Sequence, residues 1–148
     1  MNAAPIQLSD DAARLDIARV HGWLASSYWT PGVERAQVER QIAGSHCLGA
    51  YLADGTQVGF ARVISDRASF AWLADVWVDE SVRGQGLGRR MVNWFLDNPD
   101  YTDIRRFMLA TKDAHGVYAR LGFTPLVRPD RLMEKLSGPF AAILEAGS

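Results

Sequence analysis

The chain has 148 residues, 48% of them apolar, which suits one globular domain with a sizeable buried core. Sixteen basic and seventeen acidic residues leave a net charge of −1, so no global field draws the chain to nucleic acid or to an anionic membrane. A single cysteine, Cys47, excludes an intrachain disulfide and makes a reducing cytoplasm the natural compartment.

Residues 5–8 predict a short first strand. Ser9 or Asp10 offers an N-cap to a helix on which Ile17, Val20 and Leu24 recur at helical spacing, ending near Ser26. Tyr28-Trp29-Thr30-Pro31-Gly32 reads as a loop, because Pro and Gly punctuate. A shorter helix fits 33–43, with Val38 and Ile42 on one face and Gly44 as its stop. Strands follow at Cys47–Ala53 and Gln57–Ile64, joined at the hairpin signal Asp54-Gly55. At the start of a strand, Cys47 reads as packing and not as a nucleophile. Ser65–Ala68 turns the chain into Phe70–Val78, a strand apolar enough to be expected at the centre of the sheet.

After Gly84 comes a helix whose buried face is Leu87, Met91, Trp94 and Phe95, stopped by Asn98-Pro99. Arg106–Thr111 is expected to lie parallel to Phe70–Val78 through a right-handed crossover. A short helix over 114–121 has Asp113 as its candidate cap and Gly122 at C′. Strand-like pieces close the chain at 123–128 and 131–136. The order is β-α-α-β-β-β-α-β-α-β. It describes an α+β (mixed α/β) domain spanning 1–148, one mostly antiparallel mixed sheet with helices on both faces. The N-terminus lacks the pattern of a secretory leader, and no apolar run has the length of a membrane span, so a soluble cytoplasmic protein is expected.

The most informative stretch is Arg83-Gly84-Gln85-Gly86-Leu87-Gly88-Arg89-Arg90, set between the apolar strand and the amphipathic helix. Three alternate glycines let backbone approach a ligand closely. The first turn of a helix leaves N–H groups unpaired and partly positive, a ready phosphate cradle. Helix starts favour Asp or Glu, yet three arginines crowd this one, each costing a few tenths to about 1 kcal/mol. An incoming polyanion reverses the sign of that cost. A dinucleotide Gly-x-Gly-x-x-Gly fails at Arg89, and no Gly-Lys-Ser/Thr occurs.

Arg83-Gly84-Gln85-Gly86-Leu87-Gly88 resembles the Arg/Gln-x-x-Gly-x-Gly/Ala signature of the GNAT acetyltransferase superfamily. Downstream, Tyr118, Gly122 and Phe123 match a second family region in spacing. The resemblance covers roughly residues 5–136 and implies acetyl-CoA as the cofactor, its pyrophosphate held by the loop Arg83–Arg89. It also implies a bulged strand whose backbone at Val76, Trp77 and Val78 pairs with the pantetheine arm. Thr111 and Asp113 would flank the cofactor on the other side. Many family members carry Asn at the position of Asp113. The family's general-acid tyrosine corresponds to Tyr118.

Amine attack on a thioester needs a neutral amine, donors for the carbonyl oxygen, and a proton for the departing thiolate. Tyr118 is the candidate proton donor, and a backbone N–H at Val76 or a neighbour the carbonyl donor. Asp75 stands in an apolar strand, so it is either a base facing a pocket or half of a buried salt bridge with Arg62. His115 is a weaker base candidate, expected to face solvent. Tyr28, Trp29, Arg62, Asp66 and Trp77 are candidates for the acceptor pocket, an Arg to grip a carboxylate and an Asp an ammonium. The acceptor expected is a small-molecule amine. A peptide amine, or binding of acyl-CoA without catalysis, are the alternatives. Apolar Phe140–Leu144 could pack on a second copy in a homodimer.

Overall fold

Strand residues alternate between two apolar faces, and the helices divide between those faces. The computed structural model describes residues 5–146. Five strands, β1 Gln7–Ser9, β2 His46–Tyr51, β3 Gln57–Ser65, β4 Phe70–Val78 and β5 Arg106–Met108, form one sheet in the order β1-β2-β3-β4-β5. Neighbours pair antiparallel up to β4, and β4 with β5 is parallel. Helices α1 Ile17–Ala25 and α2 Arg35–Ala43 cover one face, where Val20, Leu24 and Val38 pack on Cys47 and Phe60. Helix α3 Leu87–Leu96 covers the other, burying Leu87, Met91 and Phe95 against Leu48, Val63, Ala71 and Leu73. The chain then makes the short α4 His115–Ala119 and ends in α5 Gly138–Ala146.

The expected α+β architecture and its element order hold as far as α4. The middle of the sheet is β3, not β4. Strand β4 is apolar because both its faces are covered, not because both its edges are paired: β5 meets it only at Phe70, Ala71 and Trp72. Beyond that point, among the described residues, β4 pairs with β3 alone.

One irregularity interrupts the ladder between β3 and β4. Phe60 opposes Trp77 and Arg62 opposes Ala74, so Ala61 faces two residues, Asp75 and Val76. This is a β-bulge, and Asp75 sits in it with φ 55°. The bulge switches the parity of the strand. Ala71 and Leu73 face the α3 side, and after the bulge so do Val76 and Val78.

Several local expectations change. Helix α1 is capped by Asp16, whose carboxylate accepts from the Arg19 N–H at 3.1 Å, while residues 12–14 form a separate 3-10 turn capped by Asp11. Ser9 and Asp10 lie too far upstream to cap α1. Asp113 does not cap α4. Thr111 instead accepts from the Ala114 N–H at 3.1 Å, and the cap residue is Ala114. Gly122 does stop that helix as expected. Its φ is 97°, its N–H bonds Ala119 O at 3.1 Å, and the Phe123 N–H bonds Tyr118 O at 3.1 Å. The strands expected at 123–128 and 131–136 are absent. Pro125 and Pro129 interrupt the run, 129–131 is a 3-10 turn, and Val127 and Met133 are 86% and 98% exposed. Helix α5 buries none of its residues, Phe140 and Leu144 included.

Candidate active site

The open edge of β4 leads directly into the glycine-rich loop. Asp79 ends the strand, accepts from the Ser81 N–H and hydroxyl, and pairs with Arg19 at 3.3 Å. Those donors hold its carboxyl below the ordinary range, the Ser81 hydroxyl bond first among them. A 3-10 turn over Glu80–Val82 follows, anchored by buried Val82. Gly84 and Gly86 take φ 81° and 77°, values that strain any residue with a Cβ.

Gly86 is the N-cap of α3 and offers no side chain to its first turn, which also holds no acidic residue. The intrahelical ladder begins with the Arg90 N–H on Gly86 O at 3.0 Å. A Cβ on Gly88 would meet nothing closer than Val78 Cγ2 at 3.7 Å, ordinary contact. Protein packing therefore accepts a small residue there, Gly or Ala. Arg89 is exposed beside this cradle. Arg83 is turned back on the strand: its Nε donates to Val78 O at 3.0 Å and its guanidinium lies 5.7 Å from the Trp77 ring centre. One guanidinium edge of Arg83 thus braces the loop, and the Val78 carbonyl is engaged by it.

Four residues expected near the acceptor, Tyr28, Trp29, Arg62 and Trp77, come together around Asp75 on the α1–α2 face. The Trp29 Nε1–H donates to Asp75 Oδ1 at 2.7 Å, and the Arg62 Nε–H donates to Asp75 Oδ2 at 2.6 Å. The buried salt bridge weighed for Asp75 is present, with side chains only 10% and 7% exposed. Arg62 also donates from Nη1 to Ser45 Oγ at 3.0 Å, a partner that no sequence signal singled out. Tyr28 packs edge-on to Trp29 at 5.0 Å, and Trp29 is 5.9 Å from Trp77. The Tyr28 hydroxyl accepts from the Lys112 N–H at 3.1 Å. The loop between α1 and α2 therefore spans from β4 to the segment after β5.

Tyr118 is half-buried on α4, edge-on to Phe123 at 5.8 Å. Burial pushes its hydroxyl above the ordinary tyrosine range, and the nearby Tyr28 hydroxyl adds to that. Asp66 stands apart from this cluster. It lies in the β3–β4 turn, ~20 Å along the strand from Val76. There it accepts from the Ser69 hydroxyl and from the N–H groups of Ala68, Ser69 and Phe70, which hold its carboxyl far below the ordinary range. His115 faces solvent, as expected. Cys47 is buried, and desolvation pushes its thiol up to about 11, so it carries no thiolate near neutrality.

Residues 43–125, which hold the bulge, the glycine loop and Tyr118, match the acetyltransferase (GNAT) domain family. The chain belongs to the GNAT acetyltransferase family. A Xanthomonas campestris pv. campestris structure described as a candidate GNAT-family acetyltransferase is 43% identical, covering 92% of this chain and 96% of its own, with TM-score 0.87. A candidate acetyltransferase of Gibberella zeae is 24% identical over 133 residues, 76% of this chain and 75% of its own. A Clostridium acetobutylicum structure, described as a predicted acetyltransferase with acetyl-CoA, shares the fold at 14% identity and TM-score 0.65, covering 89% of this chain and 95% of its own. The bulge and the uncapped start of α3 both lie within the matched residues. No helix among the described residues is long and apolar enough to cross a membrane.

Proposed function

We propose that this GNAT acetyltransferase moves the acetyl group of acetyl-CoA to the primary amine of a small-molecule acceptor by direct attack. One observation carries the reading: the unpaired edge of β4 at Val76–Val78 runs straight into an uncapped, glycine-rich helix start. The first-turn N–H groups of α3, from Leu87 to Arg89, and the Arg89 guanidinium suit a pyrophosphate. Gly84, Gln85 and Gly86 let the backbone close on it, and the room at Gly88 keeps Cβ atoms out of the way. The edge at Val76, Trp77 and Val78 suits an extended polyamide arm that adds like a strand. Thr111 and Asp113 would flank it from the α4 side.

When bound, acetyl-CoA supplies an activated acyl group on a thiol that leaves as a thiolate. Tyr118 gives the proton that a departing thiolate needs; the acylated nitrogen gives up its own proton to water, from which the tyrosinate is reprotonated. Burial keeps its phenol protonated through neutrality, so the donor form is present at working pH. A backbone N–H at Val76, just past the bulge, is the donor toward developing negative charge. Tyr28, Trp29 and Trp77 give the acceptor side an aromatic lining, which suits a compact amine more than an extended peptide.

The test is a thiol-release assay with acetyl-CoA against a broad panel of primary amines, with peptide amines included. Release stimulated by a small amine, and lost in Tyr118→Phe with coenzyme A affinity retained, supports the proposal. Turnover on peptide amines alone would overturn the acceptor class. Coenzyme A binding without turnover on any amine would overturn catalysis.

A further inference from the structure

The carboxylate of Asp75 is committed on both oxygens, Oδ1 to Trp29 Nε1 at 2.7 Å and Oδ2 to Arg62 Nε at 2.6 Å. It belongs to a residue with φ 55°, a conformation that costs a non-glycine residue of order 1 kcal/mol and that Asp tolerates better than most. Its two partners come from different parts of the fold. Arg62 is on β3 and is itself fixed by Ser45, whose hydroxyl donates to Gln41 O of α2 at 2.6 Å. Trp29 is on the α1–α2 loop, edge-on to Tyr28 and tilted against Trp77.

We infer that Asp75 is a positioning residue: its carboxylate clamps the bulge of β4 to the acceptor-side loop through Trp29 and to β3 through Arg62. The clamp rests on the acetyl-transfer reading given above. It makes the bulge and the aromatic loop one rigid unit, so the edge that receives the thioester and the wall that receives the amine keep a fixed separation. Errors of an ångström in such a separation cost up to about a hundredfold in rate. A general base has to accept a proton on an oxygen that faces the substrate. Here each oxygen already accepts from an N–H, one from half-buried Trp29 and one from buried Arg62, and the other titratable group facing the pair is Cys47 of β2, a thiol held neutral by burial.

Three substitutions separate the clamp from a base and from a purely conformational role. Trp29→Phe keeps the ring and removes only the N–H. Asp75→Asn keeps the shape and the tolerance for positive φ, yet it can accept from only one partner at a time. Asp75→Gly suits the backbone angle and removes the side chain. The clamp predicts that each lowers kcat about tenfold or more, with acetyl-CoA affinity changed less than about twofold. It predicts that Trp29→Phe and Asp75→Asn are non-additive when combined, because both break one interaction. The acid limb of the pH profile keeps its position in all three.

Loss of the acid limb in Asp75→Asn, with Trp29→Phe silent, would overturn the clamp in favour of a base. Full activity in Asp75→Gly would overturn it in favour of backbone shape alone. The same double-mutant cycle read by thermal unfolding tests the clamp even if the native chain turns over no amine. Coupling in stability without any turnover sinks the acetyl-transfer reading and leaves the clamp; additive stability effects sink the clamp and leave the reading.

Discussion

The two halves of β4 have the same apolar character and opposite fates. Ala71 and Trp72 are paired on both sides, with Ser65 and Ile64 of β3 and with Phe107 and Met108 of β5, and Ala71 and the adjoining Leu73 are core. Val76–Val78 pairs with β3 only, stays partly exposed, and runs into the loop that opens α3. Between them lies a one-residue bulge held by a buried ion pair. Apolar composition reports that faces are covered; it is silent on whether edges are paired. In this fold the sealed half provides stability, and the open half leaves an unpaired edge, the one proposed above to receive the cofactor.

The comparison breaks most visibly at its sealed end. Leu73→Ala should cost about 3 kcal/mol of stability through the cavity it leaves, seen as a lower Tm, with the kcat of the folded protein nearly intact. A comparable loss of rate with no loss of Tm would show that the sealed half takes part in the site. On the open side, Tyr118→Phe should lower kcat by about a hundredfold while leaving coenzyme A affinity alone. The same residue sets a pH dependence. Burial raises its pKa, so the protonated donor persists as pH rises past the ordinary tyrosine value of about 10. Activity should fall only above that, and Tyr118→Phe should remove the alkaline limb.

A smaller and sharper effect is expected of Gly88→Ala. The added Cβ has room in the protein, and alanine favours the helix by up to about 1 kcal/mol, so Tm should hold or rise. Acetyl-CoA affinity should hold as well, because the methyl group lies against Val78 and Ala is the alternative to Gly at this position of the signature. A large loss of affinity would place the cofactor directly against the Gly88 Cα. The smallest effect belongs to Asp66→Asn in the β3–β4 turn. Its carboxyl is depressed by the Ser69 hydroxyl and three amides, so its contribution is present above the unfolded value near 3.9 and is lost as pH falls through the lower folded value. The variant should lower Tm slightly at neutral pH and leave kcat and KM unchanged; a changed KM for the amine would return Asp66 to the acceptor site.

Much of the fold is legible in order of residues alone. The bounds of β3 and β4, the Gly44 and Gly122 stops and the buried face of α3 follow from period, punctuation and the left-handed tolerance of glycine. Caps were less legible. Asp10, Asp11 and Asp16 all precede apolar helical residues, and which one meets a helix start depends on where the backbone turns. Thr111 rather than Asp113 receives the Ala114 N–H for the same reason. The apolar pieces after Gly122 look like strands, but a strand exists only where a neighbour offers a ladder, and among the described residues none does.

Sequence by itself determined the chemistry on offer: alternate glycines, arginines at a helix start, an apolar strand and a tyrosine followed four residues later by Gly-Phe. These depend on local backbone geometry and charge, which neighbouring residues carry with them. Only the tertiary structure decided how Asp75 is used. A carboxylate in an apolar strand has the partners that packing brings to it, and Trp29 and Arg62, 46 and 13 residues away, reach both of its oxygens only in the folded chain.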